Sequence, residues 1–168
     1  PMTVAELYDR ATAMLGTDIA QAAELAREAH RISRTPVEHG LAIRADANIA
    51  YASARYEEAL ALYEDALRRF EAAGDPLEAA RTRNNGLQTL IYLSRYDQAL
   101  EWASRARSWY EASGDTLRLA RLDGNVANLL YRQDRFAEAL PLYQLAESEF
   151  RAGGQPRDFR ALGEQAAE

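Results

Sequence analysis

The chain has 168 residues, a net charge of −6 and no cysteine, so it can form neither a disulfide nor a cysteine-based zinc site, and we expect a cytoplasmic location. Its arginines are interleaved with Asp and Glu, which argues against nucleic-acid binding, because phosphate recognition requires clustered positive charge. No apolar run approaches the ~20 residues that a membrane-spanning helix requires, so we expect no membrane association.

The first two predicted elements are helices over residues 4–15 and 19–34, separated by Gly16 and Asp18. Small and apolar residues recur in the second helix at intervals of three and four, which places them on one helical face. The two segments are therefore predicted to form an antiparallel helix pair over residues 3–34.

Three copies of one sequence pattern follow at a fixed interval. An aromatic residue is followed three and four positions later by Ala and Leu, and the aromatic residues Tyr56, Tyr96 and Phe136 stand 40 residues apart. Each copy opens a helix with an apolar stripe. A further helix is predicted before each copy, over residues 36–52, 76–93 and 116–132. A unit of this length cannot close a core alone, so neighbouring units must stack.

Each helix that follows an aromatic residue ends at a glycine, namely Gly74, Gly114 and Gly154. Glycine accepts the left-handed conformation that terminates a helix. The neighbouring Asp75 and Asp115 can accept hydrogen bonds from the free amides of the next helix. These helix ends and starts predict units over residues 36–73, 76–113 and 115–153 and a last helix over residues 156–167. The chain stops before that helix gains a partner, so we expect it to be a fragment of a longer protein.

These units resemble tetratricopeptide repeats of the longer variety found in kinesin light chains and in bacterial multidomain regulators and effectors. The resemblance covers nearly the whole chain. It is carried by small residues where paired helices touch, Ala59, Ala99 and Ala139, with a second set at Ala66, Ala106 and Ala146. It implies an all-α, right-handed superhelical solenoid, a single array over residues 1–168 with about four antiparallel helix pairs plus a C-terminal helix. The chain departs from the family inside each turn, where Ala54, Ser94 and Asp134 replace a frequent glycine.

The resemblance also implies that the first helix of each pair lines a concave groove. Counting back from the aromatic residues, Asn, Gln and Arg recur there on one face. Carboxamides both donate and accept, so they can pair with an extended backbone, and Arg can bind a carboxylate through two parallel bonds. Tyrosines further along can contact apolar side chains. The candidate partner-binding residues are Arg44, Asn48, Tyr51, Arg81, Asn84, Asn85, Gln88, Tyr92, Arg121, Asn125, Asn128 and Tyr131.

The favoured function is a protein-protein interaction module that binds an extended peptide or partner segment in the groove. In the structural alternative, the carboxamides bond neighbouring helices or face solvent. A second hypothesis for the function is that the array is a structural, sensory or self-association segment of a larger multidomain regulator or effector. The sequence has no His-x-x-x-His spacing, no Gly-rich phosphate loop and no nucleophile motif, so we expect no enzymatic activity, no metal and no cofactor. We expect a monomer or a weak homodimer.

Overall fold

The computed structural model describes residues 1–152, and within that range all regular structure is helical. The elements are α1 Val4–Met14, α2 Ile19–Ile32, α3 Pro36–Ala52, α4 Tyr56–Ala72, α5 Pro76–Tyr92, α6 Tyr96–Ser113, α7 Thr116–Arg132 and α8 Phe136–Ala152. The predicted all-α class is confirmed, and each predicted helix in the described range ends within two residues of the observed one. Gly154 and the last predicted helix lie outside the described residues. No helix in the described range is both long enough and apolar enough to span a bilayer.

The helices fall into two compact units, Pro1–Ser94 with α1 to α5 and Arg95–Glu168 with α6 to α8. The boundary lies between α5 and α6, inside the pair that the sequence predicts over residues 76–113. Within each unit, consecutive helices pack against one another. The small residues that carry the repeat resemblance are all fully buried at 0% exposure: Ala59, Ala66, Ala99, Ala106, Ala139 and Ala146.

Helix starts and stops are set by local side chains, as the sequence predicts. The Asp75 carboxylate accepts a hydrogen bond from the Glu78 amide (3.0 Å), and Asp115 accepts one from the Arg118 amide (3.1 Å). Each aspartate thereby satisfies a backbone donor that has no partner within the helix. Before them, Gly74 and Gly114 have φ angles of +70° and +71°, the left-handed geometry that closes a helix.

The turn inside each repeat keeps a left-handed backbone without glycine. Ala54, Ser94 and Asp134 have φ angles of 60°, 59° and 60°. The amide of the following residue reaches back across the turn, from Arg55 to the Ala50 carbonyl (2.9 Å) and from Arg135 to the Leu130 carbonyl (2.9 Å). A side chain in this region costs roughly 1–2 kcal/mol relative to the right-handed conformation. The absence of glycine therefore does not prevent a left-handed residue at this position of each turn.

Replacing Ala54 with glycine should stabilise the protein. Glycine relieves the left-handed strain at this exposed position, and this gain exceeds the entropy that glycine adds to the unfolded chain. We expect Ala54→Gly to raise the free energy of unfolding by about 0.5 kcal/mol in a urea titration followed by circular dichroism. Ala73→Gly is the control, because Ala73 is equally exposed but right-handed, and it should lower stability. A loss of stability in both variants contradicts the strain assignment.

Candidate functional site

A largely buried cluster of polar side chains joins three helices of the first unit through the hydroxyl of Tyr8. This hydroxyl oxygen lies 2.9 Å from Arg44 Nε, 3.1 Å from Asn48 Nδ2 and 3.1 Å from Asn85 Nδ2. Tyr8 belongs to α1, Arg44 and Asn48 to α3, and Asn85 to α5. We call this set the Tyr8 network, with Tyr63, Glu78 and Thr82 as further members. It ties together helices that are distant in sequence.

Arg44 is the fully buried charge at the centre of the Tyr8 network, with 0% exposure. Its Nη1 donates to the Thr82 hydroxyl (3.0 Å) and the Glu78 carbonyl (3.3 Å), and its Nη2 lies 2.7 Å from the Glu78 carboxylate. Burial alone lowers the pKa of Arg44, but the oxygens of Tyr8 and Glu78 outweigh it and hold that pKa above its usual value. The guanidinium is therefore a permanent charge with partners on several sides.

The prediction that Arg44 and Asn48 bind a partner is corrected by their burial. Asn48 is only 7% exposed, and its Oδ1 accepts a hydrogen bond from the Tyr63 hydroxyl (2.6 Å) while its Nδ2 donates to Tyr8. Arg44 has no exposed surface. The physical reason is that α1 packs on this face of α3 and covers the polar positions. For these two residues the structural alternative describes what the side chains do.

The Asn48–Tyr63 bond recurs in the second unit, where the Tyr143 hydroxyl donates to Asn128 Oδ1 (2.7 Å). In both pairs the residues stand 15 positions apart, so the bond links the two helices of one repeat. Burial raises the pKa of both tyrosine hydroxyls, so each stays a neutral donor at neutral pH. Asn128 is half-buried and held by this bond.

One face of α5 keeps the predicted polar residues together near the surface. We call it the α5 face. Its members stand at helical spacing and are Arg81, Asn84, Asn85, Gln88 and Tyr92. Asn85 and Tyr92 are exposed, and the other three are half-buried. Arg81 Nη1 lies 2.9 Å from Glu78 Oε1, so the face is joined to the Tyr8 network both through Glu78 and through Asn85.

Three tyrosines form an aromatic cluster at the C-terminal end of the α5 face. The rings of Tyr56 and Tyr92 stack with centroids 4.6 Å apart and an interplanar angle of 3°. Tyr51 lies 5.8 Å from Tyr56 and 6.1 Å from Tyr92 in tilted geometry. Tyr92 remains 46% exposed, so part of this side chain is accessible to solvent. The structure brings the predicted Tyr51 and Tyr92 together and adds Tyr56.

The remaining predicted residues lie on α7 in the second unit. Arg121 is exposed, whereas Asn125 and Tyr131 are half-buried. The Tyr131 ring contacts Phe136 at a centroid distance of 5.1 Å. This pair is equivalent to Tyr51 and Tyr56, which stand two 40-residue intervals earlier and are also in contact. Because α5 and α7 belong to different units, a continuous stripe over both helices stays a prediction.

Sequence reasoning missed Tyr8, Glu78 and Thr82. A usable signal was present, because most of the residues around Arg44 in α3 are Ala, Leu and Ile, the composition of a helix buried on several sides. An arginine in such a helix requires acceptors from its neighbours. Tyr8 was not predicted as a site residue because the first helix pair does not follow the 40-residue interval of the other pairs.

Comparison with known proteins supports the fold. The crystal structure of BtubC (BKLC) from P. vanneervenii superposes with a TM-score of 0.72 at 19% sequence identity, over 89% of this chain and 61% of that chain. The fold is that of a TPR-like helical repeat protein. This confirms the fold implied by the repeat resemblance, and the chain spans 61% of the length of BtubC. No protein-family model and no curated protein sequence matches the chain.

Removing the Tyr8 hydroxyl should destabilise the first unit. Tyr8→Phe leaves a buried guanidinium N–H and a buried carboxamide without their acceptor, which costs about 2–3 kcal/mol. Urea unfolding followed by circular dichroism measures the loss. Tyr56→Phe removes the same atom from a half-buried ring and should change stability by less than about 0.5 kcal/mol. Equal effects of the two substitutions would contradict a central role for Tyr8.

Proposed function

We propose that this chain is a protein-interaction module that binds an extended peptide or partner segment along the α5 face. The TPR-like fold supports the general role. The observation that carries the specific site is Asn85, which is exposed to solvent yet anchored to the buried Tyr8 hydroxyl (3.1 Å). A carboxamide held in this way is oriented before a partner arrives, which reduces the entropy lost on binding.

Asn85 keeps hydrogen-bonding capacity for a partner while it is held by Tyr8. Its Nδ2 lies 3.1 Å from the Tyr8 hydroxyl oxygen, and this contact uses one of its two amide hydrogens. The second amide hydrogen and the side-chain oxygen are the groups that we expect to meet a partner backbone.

The other members of the α5 face match an extended segment. Asn84 and Gln88 each carry a donor and an acceptor, the two functions that a partner backbone offers in return. Arg81 supplies a cation on the same side. The aromatic cluster beyond them offers the exposed ring of Tyr92 to an apolar side chain of the partner. The proposed ligand is therefore an extended segment that places an apolar residue on Tyr92.

We further propose that the chain acts by binding and not by catalysis, and that its partner is a protein and not a nucleic acid. The acidic net charge of −6 disfavours phosphate backbones. Attachment to a larger regulator and weak self-association stay predictions. Size-exclusion chromatography with light scattering measures the oligomeric state of the chain. It therefore distinguishes a self-associating chain from a monomer that binds a peptide.

Peptides selected on the immobilised chain from a random phage-displayed library provide the test, with calorimetry to measure their affinity. We expect Gln88→Ala and Tyr92→Ala each to weaken the best peptide about tenfold, the effect of losing roughly 1.4 kcal/mol of contact energy. Arg68→Ala is the matched control, since its side chain is 70% exposed on α4, and it should leave the affinity unchanged.

Helicity of all three variants is checked by circular dichroism. If selected peptides bind both α5 variants as tightly as the original chain, the α5 face is not the site. If the library yields no saturable binder, the proposed peptide-binding function fails.

A further inference from the structure

The second unit contains a cavity of about 370 Å³ bounded by α6, α7 and α8. We call it the α6 pocket. Its wall is largely apolar and is formed by Leu100, Ala103, Leu122, Val126 and Leu142. Ser104, Arg107 and Asp123 are the polar residues that complete it. A concave apolar site with a few polar groups is the usual form of a small-ligand site.

Asp123 is buried in the wall of the α6 pocket, with 1% exposure. Its Oδ1 accepts a charged hydrogen bond from Arg107. Its Oδ2 is also buried, and within the described residues it has no hydrogen-bond partner. A buried carboxylate oxygen without a donor is costly and calls for an explanation, such as a ligand that supplies one.

The charges around the α6 pocket favour a positive ligand. Arg107 is shared by two carboxylates, since it pairs with Asp123 and its Nε lies 2.8 Å from Glu111 Oε1. A third acid, the buried Glu149 of α8, interacts electrostatically with the same guanidinium. Among residues 1–152, Arg107 therefore interacts with three acids, Glu111, Asp123 and Glu149, of which Asp123 and Glu149 are buried. An additional positive group would reduce this imbalance.

Two residues of the α6 pocket differ from those at the equivalent positions of neighbouring repeats. Forty positions before Asp123 stands Arg83, whose Nη2 pairs with Glu71 at 2.9 Å, so the charge at this place is reversed in the second unit. Ala103 likewise stands where the repeats before and after carry Tyr63 and Tyr143. A small residue in the wall and an acid in place of a base are two independent changes at one site.

We propose that the α6 pocket binds an amphiphilic ammonium ligand, whose positive charge lies against the part of the wall formed by Asp123 and whose apolar body lies against Val126 and Leu142. The ligand is either a small organic amine or a lysine side chain of a partner, since both present an ammonium on an apolar stem. The α6 pocket belongs to the second unit and the α5 face to the first, so failure of this proposal leaves the proposed function untouched.

A titration of the isotope-labelled protein with 2-phenylethylammonium, followed by methyl NMR, provides the test. We expect saturable shifts of Leu122, Val126 and Leu142, and affinity at least about tenfold lower for the neutral 2-phenylethanol. The anionic 3-phenylpropionate should not bind. A blocked tripeptide, acetyl-Leu-Lys-Leu-amide, forms a second arm, and tighter binding of the peptide than of the amine at the same methyls identifies a partner side chain as the ligand source.

Asp123→Asn should weaken the amine at least about tenfold, because it removes the charge that the ammonium meets. Glu101→Gln makes the same charge change on α6 at a side chain that is 63% exposed, and it should leave binding unchanged. If Asp123→Asn fails to fold, the comparison of charged and neutral ligands on the original protein still decides. Equal affinity for amine and alcohol, or no saturable shift at these methyls, overturns the proposal.

Discussion

The buried guanidinium of Arg44 is the constraint on which the first unit depends. A charge with no exposed surface is tolerated only when oxygens meet it from several directions. Those oxygens come from Tyr8 on α1 and from Glu78 and Thr82 on α5. The helix that carries the charge is thereby fixed between two others, and small residues alone could not specify that arrangement as tightly. Asn85 takes its orientation at the surface from the same contacts.

The helices themselves could be predicted because their signals are local. A repeated aromatic residue, a closing glycine and a capping aspartate mark each element within a few residues of its ends. Gly74 and Asp75 show this best, since one takes the left-handed backbone and the other caps the next helix. Even where the expected turn glycine is missing, as at Ala54, the remaining signals still place the helix correctly.

The candidate site could be predicted only in part, because a register position does not say what covers it. Asn48 and Gln88 occupy equivalent positions in successive repeats, yet Asn48 is buried and Gln88 is half-exposed. The difference comes from α1, which packs on α3, and α1 belongs to the copy that departs from the 40-residue interval. Counting from the aromatic residues therefore groups the α5 residues on one face but does not show that the equivalent α3 residues are covered. That the α5 face binds a partner stays a prediction. Tyr8 could be found only by asking which groups satisfy Arg44.

The left-handed turns have a practical consequence for measurements on this protein. Ala54, Ser94 and Asp134 share one backbone geometry, are all exposed and carry three unrelated side chains, so the turn accepts chemical variety. The chain has no cysteine. A single cysteine introduced at any of these turns would therefore be the sole thiol, and a dye attached there would sit on equivalent backbone each time. Distances measured between pairs of such labels would report the arrangement of the two units in solution.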